Sequence, residues 1–190
     1  MYKSNLLAIL REKTGPIHKK MDEEGVGHLM KTHVFDREAY RKWLHQTYLI
    51  NSFLFSEKEM LKNGVFYDYI NGDLGIDLIV KDIEEMGDSI NIGSAHSDNI
   101  SEHSHQHSDY LIAIAYTFIG SSLGSAYILN YVKDQISDAP TLFLSHMKQL
   151  GRKWKSFMED LNSYEPDIDL ELIGNYAESI FLEILAIQKS

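Results

Sequence analysis

Apolar side chains recur at spacings of three and four residues along most of this 190-residue chain, and only three prolines interrupt the pattern. Such spacing places apolar side chains on one face of an α-helix, whereas a half-buried strand needs strict alternation. No segment has the pattern of a strand hairpin. The sequence therefore predicts one all-α domain, a single multi-helix bundle covering residues 1–190.

The sequence also marks where the expected helices begin and break. In the first, over residues 4–24, Pro16 either introduces a kink or lies in the first turn of a new helix capped by Thr14. Asp36 is a good N-cap for the next helix, which is expected to run to Lys62. The apolar side of the first helix is expected to consist of Leu6, Leu10, Ile17 and Met21. The remaining helices are expected over residues 65–70, 74–86, 109–133, 141–161 and 167–188.

The composition excludes several classes of function. The absence of cysteine excludes disulfides, zinc–thiolate and iron–sulfur sites and any cysteine nucleophile. A formal net charge of −10 argues against nucleic-acid binding, which needs clustered Lys and Arg. No apolar run has the length of a membrane span, and the N-terminal segment lacks the pattern of a secretory signal. We therefore expect a cytoplasmic protein without nucleic-acid or membrane partners.

Two glycines interrupt the most apolar segment, residues 109–133. Gly120 and Gly124 lie four residues apart, so they face the same side of a helix, on one stripe with Ala113 and Thr117. A mid-helix glycine costs about 1 kcal/mol relative to alanine, so two of them need a reason. Either a planar ligand lies against the bare backbone, or a second helix packs closely on the stripe. The spacing alone leaves both explanations open.

A histidine in the first helix is the second candidate feature. His18 lies at the border of the apolar face, and Asp22 follows one turn later. Neutral imidazole is the ordinary proximal ligand of haem iron, and a neighbouring carboxylate can fix the tautomer of the ring. A hydrogen-bonded, half-exposed histidine without a ligand fits the same position.

Three segments, in this order along the chain, resemble the bacterial heme oxygenases. LREKTGPIHKKMD is similar to their proximal helix, in which L-R-x-x-T-x-x-x-H leads to an acidic residue four positions after the histidine. AYTFIGSSLGSAYIL resembles their distal helix, with the pattern G-S-x-L-G-[GAS], and GRKWKSFMEDL resembles their W-[KR]-x-F segment. The matching positions are Leu10, Arg11, Thr14, His18, Asp22, Gly120, Ser121, Leu123, Gly124, Ser125, Trp154, Lys155 and Phe157.

The resemblance implies a helical fold of the heme oxygenase type and a specific reaction. Haem, which is both substrate and cofactor, is cleaved with O2 and electrons to biliverdin, carbon monoxide and Fe²⁺. The electron donor is a ferredoxin, a flavodoxin or a reductase. His18 is implied as the iron ligand, and Gly120, Gly124 and Ser121 as the catalytic residues of the distal side. There the glycines let the helix approach the ring, while backbone carbonyls, hydroxyls and water form a hydrogen-bond network.

The resemblance also implies which residues hold the haem. Arg11 corresponds to a cation that reaches a propionate, and Asp22 orients the His18 ring. The other cofactor-binding candidates are Thr14, Ser125 and Lys155. For Lys155, as for Lys19 and Arg152, a solvated helix face explains the residue better than a propionate contact does. Core packing explains Tyr116 and Tyr131 as well as a contact with the haem edge.

Two features depart from the family pattern. Ile119 stands where many bacterial members carry Glu, which affects the expected distal water network more than haem binding. Residues 87–108 lose all periodicity and predict a flexible, solvent-exposed loop rich in His and Ser. Its histidines can bind Zn²⁺ or Ni²⁺ only weakly, because such a loop has no preformed geometry. They are His96, His103, His105 and His107.

Two other kinds of protein compete with this interpretation. A non-catalytic haem-binding or haem-carrier protein on the same fold would carry the same residues. A second enzyme class on this scaffold is the alternative, but a thiaminase-type hydrolase is disfavoured by the missing cysteine. A diiron-carboxylate oxidase needs E-x-x-H pairs on facing helices, and here Glu102 and His105 have that spacing only within the loop.

Overall fold

The computed structural model describes residues 5–59, 66–72, 74–90, 109–165 and 169–189, and within these ranges all regular structure is helical. Short 3₁₀ turns at Tyr67–Tyr69 and Gly151–Lys153 connect some of the helices. The all-α prediction is therefore confirmed. The α-helices, in chain order, are α1 Leu6–Glu24, α2 Val26–Lys31, α3 Arg37–Glu59, α4 Ile76–Glu85, α5 Tyr110–Gln135, α6 Leu142–Leu150, α7 Trp154–Ser163 and α8 Leu170–Lys189.

Helices α1 and α8 pack side by side and run in the same direction. Near their N-termini, a Cβ built on Gly174 would lie 2.6 Å from Ile9 Cγ2. Near their C-termini, Lys189 Nζ lies 3.0 Å from Glu24 Oε2. The first and last helices of the described chain are thus in contact along their whole length, and the absence of a side chain at Gly174 permits the close approach.

Helix α5 is the central element of the core. Its N-terminal half is buried on nearly every side, from Tyr110 to Ile119, and α3, α6 and α8 all pack against it. By length and composition α5 could cross a membrane, contrary to the expectation that no apolar run is long enough, and 56% of the relevant window is buried inside the protein. The core helix of a soluble protein passes the same test, so this property alone assigns no membrane.

The structure resolves the uncertainty about the first helix. α1 is continuous with Pro16 inside it, so Thr14 does not cap a new helix. The Thr14 hydroxyl instead donates to the Leu10 carbonyl, at 2.7 Å. The buried residues of α1 are Leu6, Leu10 and Thr14, whereas Ile17 and Met21, expected in the core, are only half-buried.

Two carboxylates accept hydrogen bonds from the backbone N–H groups at the start of helices. Asp36 acts as the predicted N-cap of α3, since its Oδ1 accepts a hydrogen bond of 2.9 Å from the Ala39 N–H. Asp82, buried on α4, accepts bonds of 3.0 Å from the N–H groups of Leu142 and Phe143, at the start of α6. Burial raises the pKa of Asp82 despite these bonds. The segment expected as one helix over 141–161 is divided into α6 and α7.

Candidate functional site

A cavity of about 330 Å³ lies between α1, α3, α5, α6 and α8. This volume is within the range of about 300–1,000 Å³ that is usual for small-molecule and cofactor sites. The walls are mainly apolar and aromatic. The lining residues are His18, Met21, Trp43, Thr47, Ile50, Asn51, Leu54, Tyr116, Thr117, Gly120, Ser121, Leu123, Ser125, Ile128, Phe143, Met147, Trp154, Phe181, Ile184 and Gln188.

His18 lies on the α1 wall of this cavity. Its Nδ1 is 3.1 Å from Asp22 Oδ2, and both side chains are more than half exposed, at 59% and 63%. The imidazole lies beside the ring of Phe181, with 6.1 Å between the ring centroids. Since the contact with Asp22 occupies Nδ1, Nε2 is the nitrogen left to meet a ligand. Asp22 itself does not line the cavity and acts only through His18.

Among the described residues, only Trp154 at the start of α7 approaches the two glycines of the α5 stripe. A Cβ at Gly124 would have no atom within 4 Å, and a Cβ at Gly120 would lie 3.7 Å from Cζ3 of Trp154. Gly120 lines the cavity, and Gly124 lies one turn further along the exposed side of α5. In the described part of the chain, close packing of a second helix is not seen at Gly124, whereas Trp154 at the start of α7 lies beside Gly120. The backbone of α5 is open at Gly124 and faces the cavity at Gly120.

The hydroxyl groups on α5 donate to their own helix. Thr117, which is buried with 5% of its surface exposed, donates to the Ala113 carbonyl at 2.8 Å, and Ser121 donates to the Phe118 carbonyl at 2.7 Å. Ser125 makes a longer bond of 3.4 Å to the Ser121 carbonyl. Because each hydroxyl has one hydrogen, these groups offer the cavity their oxygen lone pairs as acceptors.

The structure does not bring the proposed haem-contacting cations to the wall of the cavity. Arg11 is exposed on α1 and lies outside the lining set. Lys155 is 89% exposed and lies 3.8 Å from Glu159, and Lys19 pairs with Glu23 at the same distance. Thr14, named with the haem-binding group, is buried in the core instead.

Other sequence candidates divide between the cavity and the core. Tyr116 lines the cavity, whereas Tyr131 packs against Phe35, with 5.9 Å between the ring centroids. Ile119, at the position where many bacterial heme oxygenases carry Glu, is fully buried in the core. Arg152 is exposed and lies outside the lining set.

Several lining residues were not singled out from the sequence as functional. Helix α3 contributes Trp43, Thr47 and Asn51, and α8 contributes Phe181 and Gln188. The spacing of Thr47 and Asn51, four residues apart on an otherwise apolar face, was a signal that could have identified α3 as a wall. The amide of Asn51 is held by a bond of 2.8 Å from Nδ2 to the Leu74 carbonyl.

Clusters of metal-binding side chains are absent from the part of the chain that the structure describes. There, no three His, Cys, Asp or Glu side chains come together in a group that could hold an ion. The four histidines of the expected loop, His96, His103, His105 and His107, lie outside the described residues, and of the expected loop 87–108 only residues 87–90 are described.

Comparisons with protein-family models, with curated proteins and with solved structures found no match for this chain.

Proposed function

We propose that this protein is a heme oxygenase, which uses O2 and electrons to cleave haem to biliverdin, carbon monoxide and Fe²⁺. The observation that carries the proposal is that His18 and Gly120, a hundred residues apart in the chain, line one cavity. The open backbone at Gly124 adds to it, because a helix keeps bare backbone where something must approach.

The chemistry of the site fits haem. An imidazole with Nδ1 beside a carboxylate and Nε2 unoccupied is the usual form of a proximal ligand, and His18 has this form. The walls are apolar rings and aliphatic side chains, among them Phe181, Ile184 and Trp154, which suit the faces of a large planar ring. The negative groups of such a ligand would lie at the open side, near the exposed surface of α1.

Each wall has its own part in the proposed reaction. Haem, when bound, supplies the redox-active iron and the ring that is cleaved. His18 would hold the iron, and Asp22 would fix the imidazole in one tautomer. Gly120 and Gly124 would let the α5 backbone come close to the bound ring and so limit how the ring can be placed. Ser121, together with Thr117, offers acceptor oxygens that orient water beside that face.

The cations proposed for the propionates need a side-chain movement to contribute. Arg11 and Lys155 are exposed and long, so a change of rotamer costs little compared with a charge-assisted hydrogen bond. We include in the proposal a cytoplasmic location and an electron donor of the ferredoxin, flavodoxin or reductase type.

A second candidate function is a haem carrier without catalysis, and one observation favours it. The hydrogens of the Thr117 and Ser121 hydroxyls are donated to carbonyls of their own helix. A distal side that lacks free donors gives little stabilisation to charge that develops on oxygen. A water molecule bound to the Thr117 and Ser121 oxygens would itself be a hydrogen-bond donor. A heme oxygenase needs such a water, whereas a carrier does not.

A haem titration followed by turnover tests both candidates. Purified protein mixed with hemin should give a Soret band with a stoichiometric end point, and reductant with O2 should convert that band to biliverdin absorption with release of carbon monoxide. A stable Soret band without biliverdin would identify the carrier. Absence of a saturable Soret band would contradict both. Bovine serum albumin treated in the same way controls for non-specific haem adsorption.

A further inference from the structure

A line of aromatic rings leads away from the cavity wall. Trp154 lines the cavity, and its ring centroid lies 5.8 Å from that of Phe157, which is fully buried. The ring of Phe157 in turn meets the edge of Tyr69, with 5.2 Å between centroids and an interplanar angle of 80°. Only Phe157 therefore separates the indole in the cavity from the phenol of Tyr69.

The outer end of this line carries a proton acceptor. The Tyr69 hydroxyl donates a hydrogen bond of 2.5 Å to Oδ2 of Asp160, a carboxylate exposed to solvent. Burial and this bond both raise the pKa of Tyr69, so the phenol keeps its proton in the resting protein. A phenol gives up an electron far more readily when a base takes the proton at the same time. Asp160 is placed to be that base.

We propose that Tyr69, Phe157 and Trp154 form an electron-transfer route from the protein surface to the cavity. Trp154 loses one electron to a one-electron oxidant in the cavity, and its indole N–H proton passes to solvent. Tyr69 then gives one electron to the Trp154 radical through the ring of Phe157, and its phenolic proton moves to Asp160. The indole takes a proton back from solvent, so the net result is a neutral phenoxyl radical on Tyr69 and a reduced oxidant.

The physiological purpose given to this route rests on the proposed function. The electron transfer between Tyr69 and Trp154 does not depend on it. Chemistry with O2 and haem generates strong one-electron oxidants, and a route to the surface would remove them before they damage the walls of the cavity. The electron transfer between Tyr69 and Trp154 can be measured in protein that contains no haem.

Tyr116 is the nearest competing donor. It also lines the cavity, and its ring centroid lies 6.1 Å from that of Trp154. Among the described residues, no acceptor takes a hydrogen bond from its hydroxyl. Since no described residue can take its proton, we expect the oxidation of Tyr116 to be less favourable than that of Tyr69. Tyr116→Phe is therefore the matched control for Tyr69→Phe.

A second branch ends at a half-buried tyrosine, Tyr164. From Phe157 the rings continue to Phe66, at 5.6 Å, and then to Tyr164, at 5.2 Å. Tyr164 donates to Asp109, at 2.5 Å. This branch needs one more ring than the route to Tyr69, and electron tunnelling weakens exponentially with distance. We therefore assign the faster transfer to Tyr69.

Pulse radiolysis of the haem-free protein tests the route. Azide radicals oxidise tryptophan in preference to tyrosine at neutral pH, and a Trp43→Phe background leaves Trp154 as the only tryptophan of the chain. Transient absorption then follows the decay of the indolyl radical and the rise of the phenoxyl radical. The expected result is a coupled decay and rise whose rate is independent of protein concentration, since the transfer is intramolecular.

Three variants in this background decide the assignment. Tyr69→Phe should slow the decay of the indolyl radical several-fold and remove the fast phenoxyl rise, whereas Tyr116→Phe should leave both unchanged. Asp160→Asn, which keeps the shape but removes the base, should also slow the transfer. An unchanged rate in Tyr69→Phe, or loss of the fast phase in Tyr116→Phe, would overturn the proposal. Circular dichroism and thermal unfolding establish that each variant is folded, and failure of the haem titration would leave this result standing.

Discussion

The Cγ2 methyl of Ile9 on α1 occupies the space that a side chain at Gly174 on α8 would need, because a Cβ built there would lie only 2.6 Å away. Lys13 Cγ would lie 3.1 Å from the same Cβ. The parallel contact between the first and last helices therefore depends on this glycine. It positions α8, and with it Phe181, against the α1 wall that carries His18.

Gly174→Ala should destabilise the protein. Added atoms in a tightly packed contact typically cost about 1–3 kcal/mol, and here α1 or α8 has to move. This outweighs the gain in helix propensity of about 1 kcal/mol that alanine otherwise brings. Urea unfolding followed by circular dichroism measures the difference. A variant as stable as the unchanged protein would show that the two helices are not in close contact at this point.

Gly124→Ala should have the opposite effect on stability. A Cβ at this position meets no atom within 4 Å, so the substitution should stabilise α5 by about 0.5–1 kcal/mol. The same urea unfolding experiment measures it, with Gly174→Ala as the contrasting variant. A destabilised Gly124→Ala would mean that another part of the chain covers the stripe.

Larger side chains on the stripe should separate haem binding from turnover. Gly120→Leu or Gly124→Leu should keep the ligating histidine and a Soret band, but lower the rate of biliverdin formation at least tenfold (~1.4 kcal/mol in the barrier). The physical reason is that the α5 backbone can no longer approach the ring. Full turnover in both variants would remove the stripe from the proposed mechanism.

His18→Ala should remove the normal Soret spectrum, because no other described histidine lines the cavity. Added imidazole should restore part of it, since the truncation leaves space beside Phe181. Asp22→Asn should have a smaller effect. The ring of His18 keeps a hydrogen-bond partner but loses the neighbouring charge, so haem should bind with a shifted spectrum. A His18→Ala variant that binds and degrades haem like the unchanged protein would exclude His18 as the ligand.

Asp88 gives a pH-dependent contribution whose direction is defined. The Ser89 N–H, and then the hydrogen bond from His45, lower the pKa of Asp88 below its usual value of 3.8. A lowered pKa in the folded state means that the stabilisation is present above pH 3.8 and is lost as the pH falls through the folded pKa. Asp88→Asn should therefore be less stable than the unchanged protein at neutral pH.

In acid the unfolding curves of Asp88→Asn and the unchanged protein should converge. High salt should reduce the difference at neutral pH because Asp88 is partly exposed. A difference that grows in acid would contradict this sign.

Local pattern predicted most of the helices, but it missed α2 and gave a helix over 65–70 where the structure has a 3₁₀ turn at Tyr67–Tyr69. Four of the candidate site residues line the cavity, namely His18, Gly120, Ser121 and Ser125. Apolar periodicity, the cap at Asp36 and the glycine pair are properties of neighbouring residues, and they led to α3 and α5 almost at their observed limits. The prediction was wrong for residues 141–161, which are divided at Gly151, where a Cβ would lie 3.3 Å from Ser122 Oγ on α5. The place of Arg11 outside the cavity wall could not be predicted, since helical spacing does not tell which element a polar side of a helix meets, whereas the exposure of Lys155 agrees with a solvated helix face.

The glycines show where the limit of the sequence lies. From the sequence alone, Gly120 and Gly124 are the candidates for close packing, and no local pattern marks Gly174 as one. Sequence determined that α5 has a bare stripe, because that follows from spacing within one helix. Only the tertiary structure decided that the stripe at Gly120 faces a cavity opposite His18 while Gly174 meets Ile9, because these are contacts between segments distant in the chain, set by how the whole core packs.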